Sequence, residues 1–193
     1  ISGAVADRMK FSAWALFVPI WTLIVYTPVT YWVYSGWHAE MGALDFAGGT
    51  AIHINAGAAS LALILVLGKR KGWPSESSPP HNLPLVMLGT GILWFGWFGF
   101  NVGSTTEGTT QAVQSLLNTF VAAAAGMIGW ILIEKIKDGK PTTLGACSGV
   151  VAALVAITPA AGHVGGLSSI VFGLVAGVGC YFLIGLKNKL GYD

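Results

Sequence analysis

Charge is scarce in this chain. Asp and Glu number 8, Lys and Arg 10, and charged residues make up 9% of 193 positions, against roughly 25% in soluble domains. So few charges cannot cover a water-facing surface, which excludes a soluble globular domain. The net charge of +2 leaves no basic face for nucleic acid. Cysteines are two, Cys147 and Cys180, in different apolar runs. That excludes a disulfide framework and reads as two buried thiols. A phosphate-binding glycine loop is missing, and so is any metal-ligand cluster. ATP-driven transport therefore has no support within the chain, and neither a cofactor nor an enzymatic activity is expected. The chain also lacks a start methionine at Ile1, has no signal peptide before its first apolar run, and closes on the polar stretch Lys187–Asp193. It is expected to be an internal piece of a longer protein.

What it has instead is apolar length. Hydrophobic residues make up 54%, glycines number 27 and tryptophans 8, with a mean hydropathy of +0.69. The expected fold class is an all-α polytopic membrane protein, with the lipid bilayer as its surroundings. Six runs are long enough, or nearly so, to span as helices: 12–34, 46–68, 84–104, 110–134, 142–161 and 166–186. Pro19, Pro28 and Pro159 fall inside runs, where neighbouring helices can satisfy the backbone groups they free. All basic residues fall in four clusters, Arg8/Lys10, Lys69/Arg70/Lys71, Lys135/Lys137/Lys140 and Lys187/Lys189. The clusters occupy alternate loops, which are read as cytoplasmic. The expected location is the cell membrane, with six spans forming one domain over 1–193. The loop 69–82, with Pro74, Pro79, Pro80 and several serines, is expected to be solvated.

The most informative stretch is Asp45-Phe46-Ala47-Gly48-Gly49-Thr50-Ala51-Ile52-His53-Ile54-Asn55-Ala56-Gly57. Asp45 would stand at the outer face and cap the helix that follows, accepting N–H bonds at Phe46 to Gly48. His53 would lie roughly 10 Å below that face at about 1.5 Å per residue. An ionisable group at that depth marks a pathway or a partner; the plainer reading is a core histidine bonded to a neighbouring helix. His38, His81 and His163 fall in loops or at their edges and are read as solvated.

The third run ends Leu93-Trp94-Phe95-Gly96-Trp97-Phe98-Gly99-Phe100-Asn101-Val102-Gly103-Ser104. Gly96, Gly99 and Gly103 would allow close backbone approach. Phe100 and Ser104, four apart, would share one helix face. An aromatic ring beside a hydroxyl suits a small cation; an interfacial aromatic belt with packing glycines is the plainer alternative. Gly145-Ala146-Cys147-Ser148-Gly149 invites a nucleophile reading with His163 as base. However, the glycine pattern fails the nucleophile-elbow form, and small-residue packing explains it better.

These residues resemble the ammonium transporter (Amt/Mep/Rh) family, in its bacterial Amt form. Asp45-Phe46-Ala47-Gly48-Gly49-Thr50-x-x-His53-x-Asn55-Ala56 is similar to its signature. Further matches are Ala4–Phe11, Lys69-Arg70, Pro80–Pro84, Gly96-Trp97-Phe98-Gly99-Phe100-Asn101-x-Gly103-Ser104, Asn118-Thr119 and Leu144–Gly149. The resemblance implies spans four to nine of an eleven-span inverted-repeat fold that assembles as a homotrimer with one pore per subunit. It implies that His53 is one of two pore histidines, the second following Asp193. Phe100 would be one of two gate phenylalanines, the other preceding Ile1. Ser104 and Asp45 would belong to an external ammonium site, and Trp97 to the pore. The family's outer tryptophan is replaced: Tyr34 aligns there best, with Trp37 a poorer fit. Ammonium would be deprotonated near the gate and pass as ammonia. A cytoplasmic PII signal protein is a possible partner, on loops such as 69–82 and 135–141. An ammonium sensor with a fused signalling domain is the main alternative, and an Rh-type channel ranks below it.

Overall fold

The computed structural model describes residues 1–76 and 79–193; Ser77 and Ser78 of the expected solvated loop lie outside them. The described residues are helical, without strands. A short helix α1 (Ser2–Val5) precedes α2 (Phe11–Trp21), a π-helical turn (Thr22–Tyr26) and α3 (Thr27–Tyr34). Then come α4 (Trp37–Glu40), a second π-helical turn (Gly49–Ile54), α5 (Asn55–Leu67), α6 (Leu83–Val102), α7 (Thr109–Asp138), α8 (Thr143–Ile157) and α9 (Gly166–Lys189).

Five of the six expected spans are long and apolar enough to cross a bilayer: Phe11–Glu40, Gly49–Leu67, Leu83–Val102, Thr109–Asp138 and Gly166–Lys189. The fifth run departs from expectation. Its helix, α8, has 15 residues, about 22 Å at 1.5 Å per residue, and stops at Ile157 rather than continuing to 161. A turn over 158–163 completes the run. Irregular backbone at membrane depth is tolerated only where protein surrounds it, and here Thr158 and Ala161 are fully buried. The helix of the fourth run, α7, continues to Asp138, so Lys135 and Lys137 sit on its last turn rather than in a loop.

The core is the α7–α8–α9 group, with α6 against α7 and α8. Small residues set its spacing: Ala122, Ala123, Gly126 and Gly129 of α7 and Gly145, Gly149 and Ala153 of α8 are buried. A Cβ at Gly149 would stand 2.5 Å from the Gly126 carbonyl oxygen and 2.8 Å from Trp130 Cβ. Without a hydrophobic force between helices in lipid, such close backbone contact supplies the association. Gly96 and Gly99, by contrast, face open space, so the close approach expected on α6 occurs on α7, α8 and α9 instead. Gly145, Cys147 and Gly149 are buried in this packing, and both cysteines are free.

One end of the molecule gathers three of the basic clusters. Arg8 Nη1 donates to the Gly68 carbonyl at 2.7 Å, and Arg8 Nη2 stands 3.3 Å from Asp193. Arg70 holds the same carboxylate through its backbone N–H at 2.6 Å and Nη2 at 2.7 Å. The Arg70 side-chain hydrogen bonds, chiefly, hold the Asp193 carboxyl down at about 2 and raise the Arg70 guanidinium in turn.

Candidate functional site

The opposite end is built around the turn that leads into α5. Asp45 is buried. Its Oδ1 accepts the amides of Gly48 (3.1 Å) and Gly49 (2.5 Å), and its Oδ2 those of Thr50 (2.9 Å) and Ala51 (3.0 Å). It therefore caps further along than the expected Phe46–Gly48. Phe46 instead donates its amide to the Pro159 carbonyl at 3.0 Å. The shift follows from the winding. Gly48 takes the left-handed φ of 99° that glycine tolerates, and the π turn opened by Gly49 presents four successive amides to one carboxylate. Gly49 has no room for a side chain: a Cβ there would stand 2.5 Å from Pro159 Cβ.

His53 lies on this π turn, and such turns recur at functional sites. Its ring stacks on Trp97, with centroids 5.3 Å apart, and on Phe100 at 5.8 Å; Trp97 and Phe100 are 5.6 Å apart. Three of the sequence-predicted site residues thus form one cluster. His53 is half-buried, and its Nε2 is shielded from solvent with no hydrogen-bond partner.

The other three line a cavity of about 440 Å³: Tyr34, Asp45 and Ser104 share it with Glu107, Gln111 and His163. Ser104 lies just past the end of α6 and donates its hydroxyl to the Phe100 carbonyl at 3.0 Å, so the cavity wall is tied to the aromatic cluster. Trp37 does not line the cavity; it is 55% exposed and packs edge-on against His38. One of the loop histidines is not simply solvated: His38 is half-buried, with Nδ1 shielded. His163 is exposed, as expected, while its ring sits edge-to-face on Phe46.

Several further residues shape this end; Asn101, Asn118 and Thr119 fall within the matched motifs, whereas Gln111 and Gln114 carried no signal in the sequence. Gln111 accepts the amides of Thr106 and Glu107 at 3.2 Å and fixes the loop beyond Ser104. Asn118 donates to the carbonyls of Ala161 (2.9 Å) and Val164 (2.5 Å), and Gln114 donates to Val164 as well. Asn101 donates to Thr119 at 3.0 Å. One polar stripe on α7 thus fastens the segments that bound the cavity. Among the described residues no group of His, Cys, Asp and Glu could hold a metal ion.

The family is settled by likeness along the whole chain. An ammonium transporter of Mycobacterium tuberculosis (strain ATCC 25618 / H37Rv) is 54% identical over 203 residues, covering 100% of this chain and 43% of the relative. The crystal structure of Candida albicans Mep2 superimposes with a TM-score of 0.92 at 40% identity, over 100% of this chain and 44% of that one. A solved sensor Amt protein does so with a TM-score of 0.91 at 31% identity, over 99% and 51%. The chain therefore spans about half the length of the proteins it matches. A model of the Ammonium Transporter Family matches residues 1–193, and this chain belongs to that family.

Proposed function

We propose that the protein containing this chain is an ammonium transporter or channel. Its subunit recruits ammonium in the cavity bounded by Tyr34, Asp45 and Ser104, removes a proton, and conducts ammonia past His53. The observation that carries this reading is the stack of His53 on Trp97 and Phe100, tied through Phe100 to the hydroxyl of Ser104.

The energetics favour such a division of labour. Moving a bare ammonium ion into an apolar path costs on the order of tens of kcal/mol in the Born limit. A π face returns about 2 kcal/mol once desolvated. Aromatic rings and hydroxyls can therefore concentrate the cation at the mouth without carrying it through. Asp45 spends its oxygens on four backbone amides, so it shapes the site as a fixed charge rather than as a mobile base. A neutral imidazole has one donor and one acceptor nitrogen, and His53 keeps Nε2 free of protein partners. It can therefore hold an ammonia molecule or pass a proton.

By the same reading the protein is a homotrimer in the cell membrane, with the basic end in the cytoplasm, where a PII signal protein would contact it. The sensor reading has one specific support, the likeness to a solved sensor Amt protein. Methylammonium accumulation, in cells lacking their own ammonium uptake and expressing the full-length parent, tests both. Uptake by wild type that is lost or altered in selectivity in His53→Ala and Phe100→Ala supports transport. No uptake, with ammonium changing the state of an attached domain, replaces it with sensing.

A further inference from the structure

We propose that Thr158 is a positioning residue for the conduction path: its hydroxyl fixes the Trp97 indole against His53. The inference rests on the transport reading and adds to it a residue that lies outside both the cavity and the aromatic cluster.

Thr158 is the first residue past α8, 0% exposed. Its hydroxyl donates to the Leu154 carbonyl at 2.7 Å, which leaves the oxygen lone pairs to accept. Trp97 Nε1–H donates to that oxygen at 2.9 Å. A buried indole N–H needs a partner, and this one has a single acceptor oriented by its own bond to the helix end. The ring held in this way is the one stacked on His53 and tilted against Phe100.

The same turn supports His53 from the other side. Pro159 accepts the Phe46 amide and fills the space beside Gly49, where the π turn carrying His53 begins. Adjacent residues of one turn thus set the two partners of the stack: Thr158 holds Trp97, and Pro159 holds the start of the segment bearing His53. The early stop of α8 leaves the Pro159 carbonyl to Phe46. A continued helix would draw the Pro159 carbonyl into its own ladder and withdraw it from Phe46.

Removing the hydroxyl leaves the indole N–H buried and unpaired, a loss corresponding to about tenfold in the equilibrium that keeps the ring in place. The test compares Thr158→Val, which preserves shape, with Thr158→Ser, which preserves the hydroxyl. Both are made in the full-length parent, alone and combined with Trp97→Phe. At equal membrane levels, Thr158→Val is expected to lower methylammonium uptake about tenfold, with Thr158→Ser within about twofold of wild type. In the Trp97→Phe background, Thr158→Val should change nothing further, because the bond it breaks is already gone. Uptake by Thr158→Val equal to wild type overturns the proposal. So does a Thr158→Ser as impaired as Thr158→Val, or losses that multiply in the double variant. A wild type without uptake overturns the transport reading alone. The ¹⁵N-indole resonance of Trp97 in the purified protein then judges the positioning role: it should shift in Thr158→Val and hold in Thr158→Ser. An unmoved resonance in Thr158→Val overturns that role too.

Discussion

Asp45 and Ala51 stand six positions apart and are joined directly: the carboxylate Oδ2 accepts the Ala51 amide at 3.0 Å. With Gly48, Gly49 and Thr50 on the same carboxylate, the link closes the π turn from its N-terminal side. Charge-assisted bonds of this kind are worth about 1.5–3 kcal/mol each, and a buried donor left alone costs about 1–3 kcal/mol. Asp45→Ala strands four amides, three of them, at Gly48, Gly49 and Ala51, on buried residues. The variant is expected to lose about 3 kcal/mol or more of stability. Thermal unfolding of purified full-length protein, followed by size exclusion, should show a lowered midpoint. Asp45→Asn keeps one acceptor oxygen and should fall between the two.

The outer aromatic can be assigned by a pair of substitutions. Tyr34 lines the cavity with Asp45 and Ser104, whereas Trp37 lies outside it against His38. A cation–π contact contributes about 0.5–2 kcal/mol, which corresponds to an increase of about 2- to 30-fold in the KM for methylammonium when the ring is removed. Tyr34→Ala is expected to raise KM by that amount and Trp37→Ala to leave it within about twofold. A reversed ranking would move the aromatic contact to Trp37.

Much of this architecture is legible in the sequence because its cause is local. Runs such as Phe46–Gly68 carry no charge, so length and hydropathy place the helices to within a few residues. The match of Asp45 to a cap is equally local, though its partners are displaced because π winding leaves no mark on composition. The turn after α8 is a different case. Thr158 and Trp97 are 61 positions apart, and Asn118 and Ala161 are 43 apart. A threonine or asparagine within an apolar run looks alike whether it bonds to its own helix or across to another. Nor does a glycine announce its neighbour: Gly96 and Gly126 read the same, yet only Gly126 touches another backbone.

That contrast gives a packing prediction. A Cβ at Gly126 would stand 2.6 Å from the Gly149 carbonyl oxygen, and backbone cannot rotate away as a side chain can. Overpacking a well-filled site costs about 1–3 kcal/mol, occasionally more. Gly126→Val is expected to reach or exceed the upper end and to reduce the yield of monodisperse protein, with Gly126→Ala less severe. Fluorescence-detected size exclusion after stepwise heating measures both.

The clamp at the basic end should show itself in acid. Asp193 accepts from the Arg70 backbone and guanidinium and lies 3.3 Å from Arg8, so three chain segments meet on one carboxylate. Its side-chain pKa falls from an ordinary 3.8 to about 2 in the folded state. A group whose folded pKa is depressed contributes stability that is complete above the unfolded value and is lost as the pH falls through the folded one. The contribution should therefore be whole above about pH 4.5 and decline between pH 4 and pH 2. Asp193→Asn removes the titrating group while keeping its size. Unfolding midpoints of wild type and Asp193→Asn, measured from pH 7 down to pH 3, should differ by a constant amount in the upper range and converge toward the lower end. A difference that persists undiminished at pH 3 would show that packing, not charge, joins Arg8, Arg70 and Asp193. Added salt should also shrink the gap at neutral pH, because Arg70 is partly open to solvent and its share of the attraction is screened.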